Sequence, residues 1–352
     1  MGGSTAPPQW SAGWWLTSTP MQLLLAGPEA VLVFFVLSGL VVALPVVRNV
    51  TFDWTRYYVQ RVLRLYLPAI ASVLLAVVWI SFSHQNPLTA PSSWTAAYSF
   101  SSLNVSTVVS GFDLLFGGLG INNPTWTLRW EVVFSLALPL FVVGAIVLRR
   151  LRFAGFIACW ALSGLGIFLG IDTLRFLAIF LAGTLLAVNL KGLQAWASRR
   201  GTGARWNIFA AAILVVSLAL MNFHWIVWAG FPGHSTLVKA SATLTAVGAF
   251  GLVCLAIVWV PLALLLSARL FQWLGRISFS IYLVHVPIII ATGNLFGRGH
   301  TLAVIGVAFA ASIIVGELFS RFVELPAHAL SRRAGRSAAQ LLKAPTERRE
   351  FS

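Results

Sequence analysis

The chain has 352 residues, of which 59% are hydrophobic and 9% charged, where a soluble domain carries about 25% charged residues. That excludes a soluble globular domain, and long apolar runs with few breaks point to membrane helices rather than a β-barrel. The net charge of +15 would suit nucleic acid, but the Lys and Arg residues lie between the apolar runs, as they do in cytoplasmic loops. The expected fold is all-α, a polytopic transmembrane helical bundle of about nine spans in contact with the lipid bilayer.

Residues 1–20 are rich in Gly, Ser, Thr, Pro and Trp and are expected to form an extracytoplasmic interfacial segment. Met1 to Trp15 has no basic n-region, so it is not a signal peptide. The first span is predicted from Glu29 to Val47 and contains Phe34-Phe35-Val36-Leu37-Ser38-Gly39; Arg48, Asp53, Arg56, Arg61 and Arg64 follow it. Tyr66 to Ser83 is the second span, and residues 84–121 then carry Asp113 but no Lys or Arg. Trp126 to Leu148 is the third, closed by Arg149, Arg150 and Arg152. Phe153 to Gly170 and Leu174 to Leu190 form a hairpin around Asp172 and Arg175, before a basic loop with Lys191, Arg199, Arg200 and Arg205. Asn207 to Trp228, Ala240 to Leu266, Ile277 to Leu295 and Thr301 to Val323 complete the set, with Arg269 and Arg276 between the seventh and eighth. Cys159 and Cys254 fall inside spans, and no disulfide framework is indicated. Residues 21–326 read as the membrane domain, and residues 327–352 as a basic tail that is mostly disordered.

Charge fixes the orientation. Arg175, Lys239 and Arg298 are the basic residues of one side; the loops after spans one, three, five and seven and the tail hold the others, apart from Arg129 inside a span. By the positive-inside rule the rich loops and the C-terminus are cytoplasmic, in a membrane expected to be the plasma membrane. The N-terminus is then outside without a signal, which leads us to expect a further apolar span encoded upstream of residue 1.

Arg129 and Glu131 sit just inside the third span. Each charge costs roughly 2.5–3.5 kcal/mol at a helix centre, which the apolar residues 132–148 can offset. Two residues apart, they point to different faces and cannot simply pair. Each needs a partner on another helix or in a wet cavity, and an ionisable group inside a span is a functional-site candidate. The plainer alternative is a structural ion pair between helices. A rise of about 1.5 Å per residue places Glu131 roughly 8 Å below the outer surface and His285 roughly 12 Å from the cytoplasmic end, with Arg61 and Arg64 at the cytoplasmic mouth and Ser38 near mid-span.

Arg61 and Arg64 are three apart and share a helix face. Their guanidinium forks suit phosphates, either of a soluble anionic cofactor or of anionic lipid, and from spacing alone lipid is the plainer reading. A buried imidazole such as His285 can act as a general base or join helices through a hydrogen bond to Ser or Tyr. His84, His224, His234, His300 and His328 lie in or near loops, and no pair has metal-ligand spacing on one helix. Ser38-Gly39 lacks the Gly and strand before Ser of a nucleophile elbow; small residues at mid-span favour close helix packing.

Four strings occur in order: Phe34-Phe35-Val36-Leu37-Ser38-Gly39; Arg61-x-x-Arg64-Leu65 before Pro68; Trp126-Thr127-Leu128-x-x-Glu131; and Ser278-x-Ser280-Ile281-Tyr282-Leu283-Val284-His285-x-Pro287. Glu324-Leu325-Pro326 follows them. Together, over residues 29–326, they resemble the acyltransferase-3 family of membrane O-acyltransferases. The resemblance implies acyl-CoA, commonly acetyl-CoA, as co-substrate entering from the cytoplasm, and a hydroxyl acceptor, commonly a saccharide. It matches Arg61 and Arg64 to the pair that holds the coenzyme A phosphates, and Glu131 to the family's acid. With the residue reading, it assigns Glu131 and His285 to catalysis and Trp126, Arg129, Ser38 and Tyr282 to substrate binding, with no metal. Two departures stand out: the family's first-helix Arg and His have no counterpart before Phe34, and Leu32 stands where an Asp often precedes the Phe pair. Acceptor choice is expected in residues 84–121 and 229–239. The rival readings are a transporter or flippase whose polar residues line a path, although no internal repeat is visible, and an inactive, N-terminally truncated acyltransferase.

Overall fold

The computed structural model describes residues 19, 21–22, 27–49, 51–83, 85, 93–100, 103–116, 121–231, 233–297 and 300–347. The interfacial segment expected at 1–20 lies outside them apart from Thr19, as do His84, Arg298 and the chain after Glu347. The described residues are helices and turns, with no strand. In chain order the main helices are α1 (Gly27–Arg48), α2 (Trp54–Phe82), α3 (Thr125–Leu136), α4 (Leu138–Leu148), α5 (Arg152–Leu169), α6 (Asp172–Ser198), α7 (Ala204–Gly230), α8 (Ser235–Val258), α9 (Val260–Leu266), α10 (Arg269–Phe296), α11 (Thr301–Phe319) and α12 (Leu325–Glu347). Among the described residues seven helical stretches are long and apolar enough to cross a membrane, the last running from Leu302 to Leu342 through α11 and into α12; they are up to eight if the broken pair α3 and α4 counts as one, and Phe153–Leu169 is a shorter apolar helix. The expected all-α polytopic bundle is therefore the observed one, and each predicted span falls on a helix.

The ends differ from the hydropathy reading for local reasons. α2 begins at Trp54, twelve residues before the predicted span, because Asp53 caps it by accepting the Arg56 N–H at 2.9 Å. Arg56, Arg61 and Arg64 are thereby helical rather than in a loop. The segment predicted as one span from Trp126 breaks at Ala137, just ahead of Pro139 in the first turn of α4. The seventh breaks at Trp259, which is extended and caps a new helix that carries Pro261 in its first turn, where a missing N–H costs nothing. α5 stops at Gly170, whose φ of +70° ends the helix in the left-handed conformation that glycine tolerates best.

The tail corrects an expectation. Residues 325–347 are helical, not disordered. Ala327, Ser331, Gly335 and Ala339 recur every four residues and are buried, while Arg332, Arg333 and Arg336 are exposed. This amphipathic stripe packs on α2, and Gly335 permits it: a Cβ there would meet the Arg56 carbonyl oxygen at 3.0 Å. Between α11 and α12 one π turn, Ser320–Glu324, turns Glu324 inward to 6% exposure.

The chain forms two compact units. The first comprises Asp53–Ser135 and Arg269–Ser352. Here α10 packs on α11 and on α2, and Leu65, Ala69, Leu128, Val132, Leu283, Val284 and Ile288 share one apolar core. The second comprises Gly3–Phe52 and Leu136–Ala268, where α1 packs on α6, α7 on α8, and α5 on α6. Gly39 and Gly183 make the α1–α6 contact: a Cβ on either would run into backbone of the facing helix. Phe35 lies against Phe180 at 4.6 Å between ring centres and against Phe176 at 5.5 Å.

Candidate active site

Within the first unit, polar groups form a column between α2, α3 and α10. At one end Arg61 Nη2 donates to Glu131 Oε1 in an ion pair whose side chains are 12% and 4% exposed. Arg61 Nε donates to Ser135 Oγ at 2.9 Å, and the Tyr57 hydroxyl donates to the Ser135 carbonyl at 3.1 Å. Ser135 lies four residues after Glu131 and so shares its helix face. One turn back from Glu131, Thr127 Oγ1 is 2.7 Å from the Tyr282 hydroxyl, which donates to the Pro124 carbonyl at 2.9 Å. Tyr282 is also within electrostatic reach of Glu131. At the far end Asn122, 2% exposed, donates to Ser72 Oγ at 3.0 Å and to the Leu283 carbonyl at 2.9 Å.

These contacts overturn the expected depth of Glu131. Asn122 stands beside Ser72, well along α2, while Glu131 and Ser135 stand beside Arg61 and Tyr57 near its start. α3 therefore begins beside the middle of α2 and runs antiparallel to it, down to the arginine end. Glu131 cannot be just under the opposite surface if it touches Arg61. A hydropathy window sees only that residues from 126 on are apolar; it cannot see that the chain enters the bundle before 122 and starts its helix inside.

His285 lies one turn beyond Tyr282, with ring centres 5.6 Å apart. Its Nδ1 is 2.7 Å from the Tyr282 carbonyl oxygen. That carbonyl can only accept, so Nδ1 carries the proton and Nε2 of the neutral ring is left with its lone pair. The half-buried ring can thus take up a proton at Nε2.

Arg61 and Arg64 stand in different settings. Arg61 turns into the bundle, whereas Arg64 is exposed and feels the charges of Glu324 and Arg332 as well as Glu131. Arg129 Nε donates to the Leu115 carbonyl at 2.7 Å and so ties α3 to the turn around Asp113. Trp126 is half-buried on the first turn of α3. Ser38 belongs to the second unit, where it is 7% exposed on α1. Ser135, Tyr57 and Asn122 are not among the expected site residues, and Thr127 enters only as part of the Trp126-Thr127-Leu128 string. The spacing from Glu131 could have pointed to Ser135 and Thr127, each one turn away; nothing local marks Tyr57.

The acyltransferase-3 family model, which describes an acyltransferase domain, matches residues 2–321. The chain belongs to that family. It is thus a membrane acyltransferase. No curated protein and no solved structure matches the chain. The acyltransferase match ends at residue 321, so α12 lies beyond it.

Proposed function

We propose that this acyltransferase moves an acyl group, in the first instance acetyl, from acyl-CoA to a hydroxyl of a saccharide or another surface or secondary-metabolite acceptor. The observation that carries the proposal is the column from Arg61 and Glu131 through Thr127 and Tyr282 to His285. One end offers cations suited to phosphates, and the other an imidazole with a free lone pair. Along α2 the distance from Arg61 to Ser72 is eleven residues, or about 16 Å, a length the pantetheine arm of coenzyme A can bridge. With Arg61 and Arg64 toward the cytoplasm, as the positive-inside rule asks, the donor enters from that side of the plasma membrane and the C-terminus is cytoplasmic.

The chemistry then runs as follows. His285 Nε2 takes the proton of the acceptor hydroxyl as its oxygen attacks the thioester carbonyl carbon. The C–O bond forms, the C–S bond breaks, and the thiolate of coenzyme A leaves and takes a proton from the imidazolium. Glu131, held by Arg61, keeps Tyr282 and its partners in a fixed electrostatic setting, and Arg64 with Arg61 receives phosphate oxygens. Trp126 and Tyr282 offer surfaces against which the acceptor can lie.

The test is thiol release from acetyl-CoA by the full chain in nanodiscs supplied with a lipid-linked saccharide. His285→Gln should lower turnover by about 10²-fold or more while the melting temperature holds. Turnover unchanged in that variant would remove His285 as the base. Movement of the saccharide across a vesicle membrane without any acyl-CoA would favour a flippase instead.

A further inference from the structure

The π turn and α12 place a second set of charged groups beside α2. Glu324 Oε2 accepts from Ser280 Oγ at 2.5 Å, and its Oε1 is 3.8 Å from His328 Nε2. Arg64 and Arg332 both act electrostatically on His328, and Arg64 acts on Glu324. Further along, Gly335 seats against the Arg56 carbonyl and the Gln60 side chain. As α12 advances from 324 to 335, its neighbours on α2 fall back from 64 to 56, so the two helices are antiparallel.

This register makes two facing stripes. From Glu324 at the end of the π turn, His328, Arg332 and Arg336 of α12 follow at intervals of four; on α2, Arg56, Gln60 and Arg64 do the same. Arg56, Arg64, Arg332 and Arg336 are exposed cations. Against them stand Glu324, Asp53 and Glu131, and all three are engaged: Glu324 by Ser280, Asp53 by the Arg56 N–H, and Glu131 by Arg61. Two buried nitrogens in the stripe, Gln60 Nε2 and His328 Nε2, make no hydrogen bond. Positive charge is thus in excess over about 12 Å, the rise of the eight residues from Arg56 to Arg64, and the Gln60 amide is a donor without a partner. That spread suits a ligand with more than one phosphate, held at two ends, better than a single phosphate group.

We infer that the stripe between α2 and α12 binds the phosphate-bearing end of the acyl donor, so that Arg332 and Arg336 of the C-terminal helix are donor-binding residues alongside Arg64. This rests on the acyl-CoA reading and adds to it: Arg61 is largely taken up by Glu131 and Ser135, and α12 supplies further cations from beyond the matched family region.

Binding of coenzyme A and of 3′-dephospho-coenzyme A to the full chain can be measured by calorimetry in phosphatidylcholine nanodiscs. The double variant Arg332→Gln/Arg336→Gln changes only exposed side chains. It should weaken coenzyme A binding at least tenfold, weaken the dephospho form less, and flatten the salt dependence. Coenzyme A binding within twofold of wild type in that variant would overturn the inference and leave the acyl-CoA reading in place. Failure of the wild type to bind coenzyme A would overturn both. An effect confined to phosphatidylglycerol retention, read by native mass spectrometry, would make the stripe a lipid contact and sink the proposal.

Discussion

Arg61 and Glu131 neutralise each other inside the first unit, each almost shut off from solvent. Removing one partner strands the other: such breaks of buried pairs cost about 3–5 kcal/mol. Glu131→Leu and Arg61→Met should each lower the melting temperature sharply, whereas the double variant should recover much of the loss, because apolar replacement of a whole pair is often neutral. Thermal melts of the three proteins in one detergent check this. A double variant as unstable as the worse single one would mean the pair contributes nothing by mutual compensation. The recovered double variant should still be inactive.

Asn122 joins α2 to α10 through Ser72 and the Leu283 carbonyl from a site that is 2% exposed. Asn122→Ala leaves that buried carbonyl without its donor, at a cost of about 1–3 kcal/mol. Asn122→Asp should be worse, since a carboxylate cannot donate to the Leu283 carbonyl unless it stays protonated. Stability is again the readout, and Asn122→Ala melting like wild type would show that the contact is dispensable.

Gly39 and Gly183 let α1 and α6 meet backbone to backbone in the second unit. Gly183→Ala should cost about 1–3 kcal/mol or more, because an inserted methyl must push a helix aside. At Gly192, on the same α6, a Cβ would have nothing within 4 Å. There alanine should gain about 0.5–1 kcal/mol from helix propensity. Opposite signs for the two substitutions in parallel melts are the expected result; equal signs would refute the close contact.

Glu29 is 3% exposed in the second unit, where Trp225 Nε1 donates to its Oε1 at 2.6 Å and its Oε2 makes no hydrogen bond. Trp225→Phe takes away that donor and should destabilise by about 1–3 kcal/mol. Adding Glu29→Leu should restore part of this, since the group left without a partner is then gone. No restoration would mean that the indole acts through packing alone.

Much of this is legible in the residues. Hydropathy places each apolar helix because lipid leaves a backbone no other way to satisfy itself. Two charges two residues apart demand separate partners: Glu131 has Arg61, and Arg129 has the Leu115 carbonyl. Gly39, at mid-span beside Ser38, sits at a close helix contact as its size suggests. What hydropathy cannot show is where along the bundle α3 begins, because residues near 122 owe their depth to Ser72 and Leu283, distant in sequence. Pro139 does signal the break at Ala137, but the apolar run around it masks that signal. α12 is hidden by its basic composition, although its small residues recur every four positions.

The interrupted connectivity of the first unit also dictates an order of manufacture. Its two halves, Asp53–Ser135 and Arg269–Ser352, are separated by the second unit's longest stretch, Leu136–Ala268. On the ribosome, Asn122 must wait for residue 283 to emerge before its amide can meet the Leu283 carbonyl. Arg61, Glu131, Ser135 and Tyr57 can meet as soon as α3 is made, whereas Asn122 and Thr127 stay without Leu283 and Tyr282 until α10 follows.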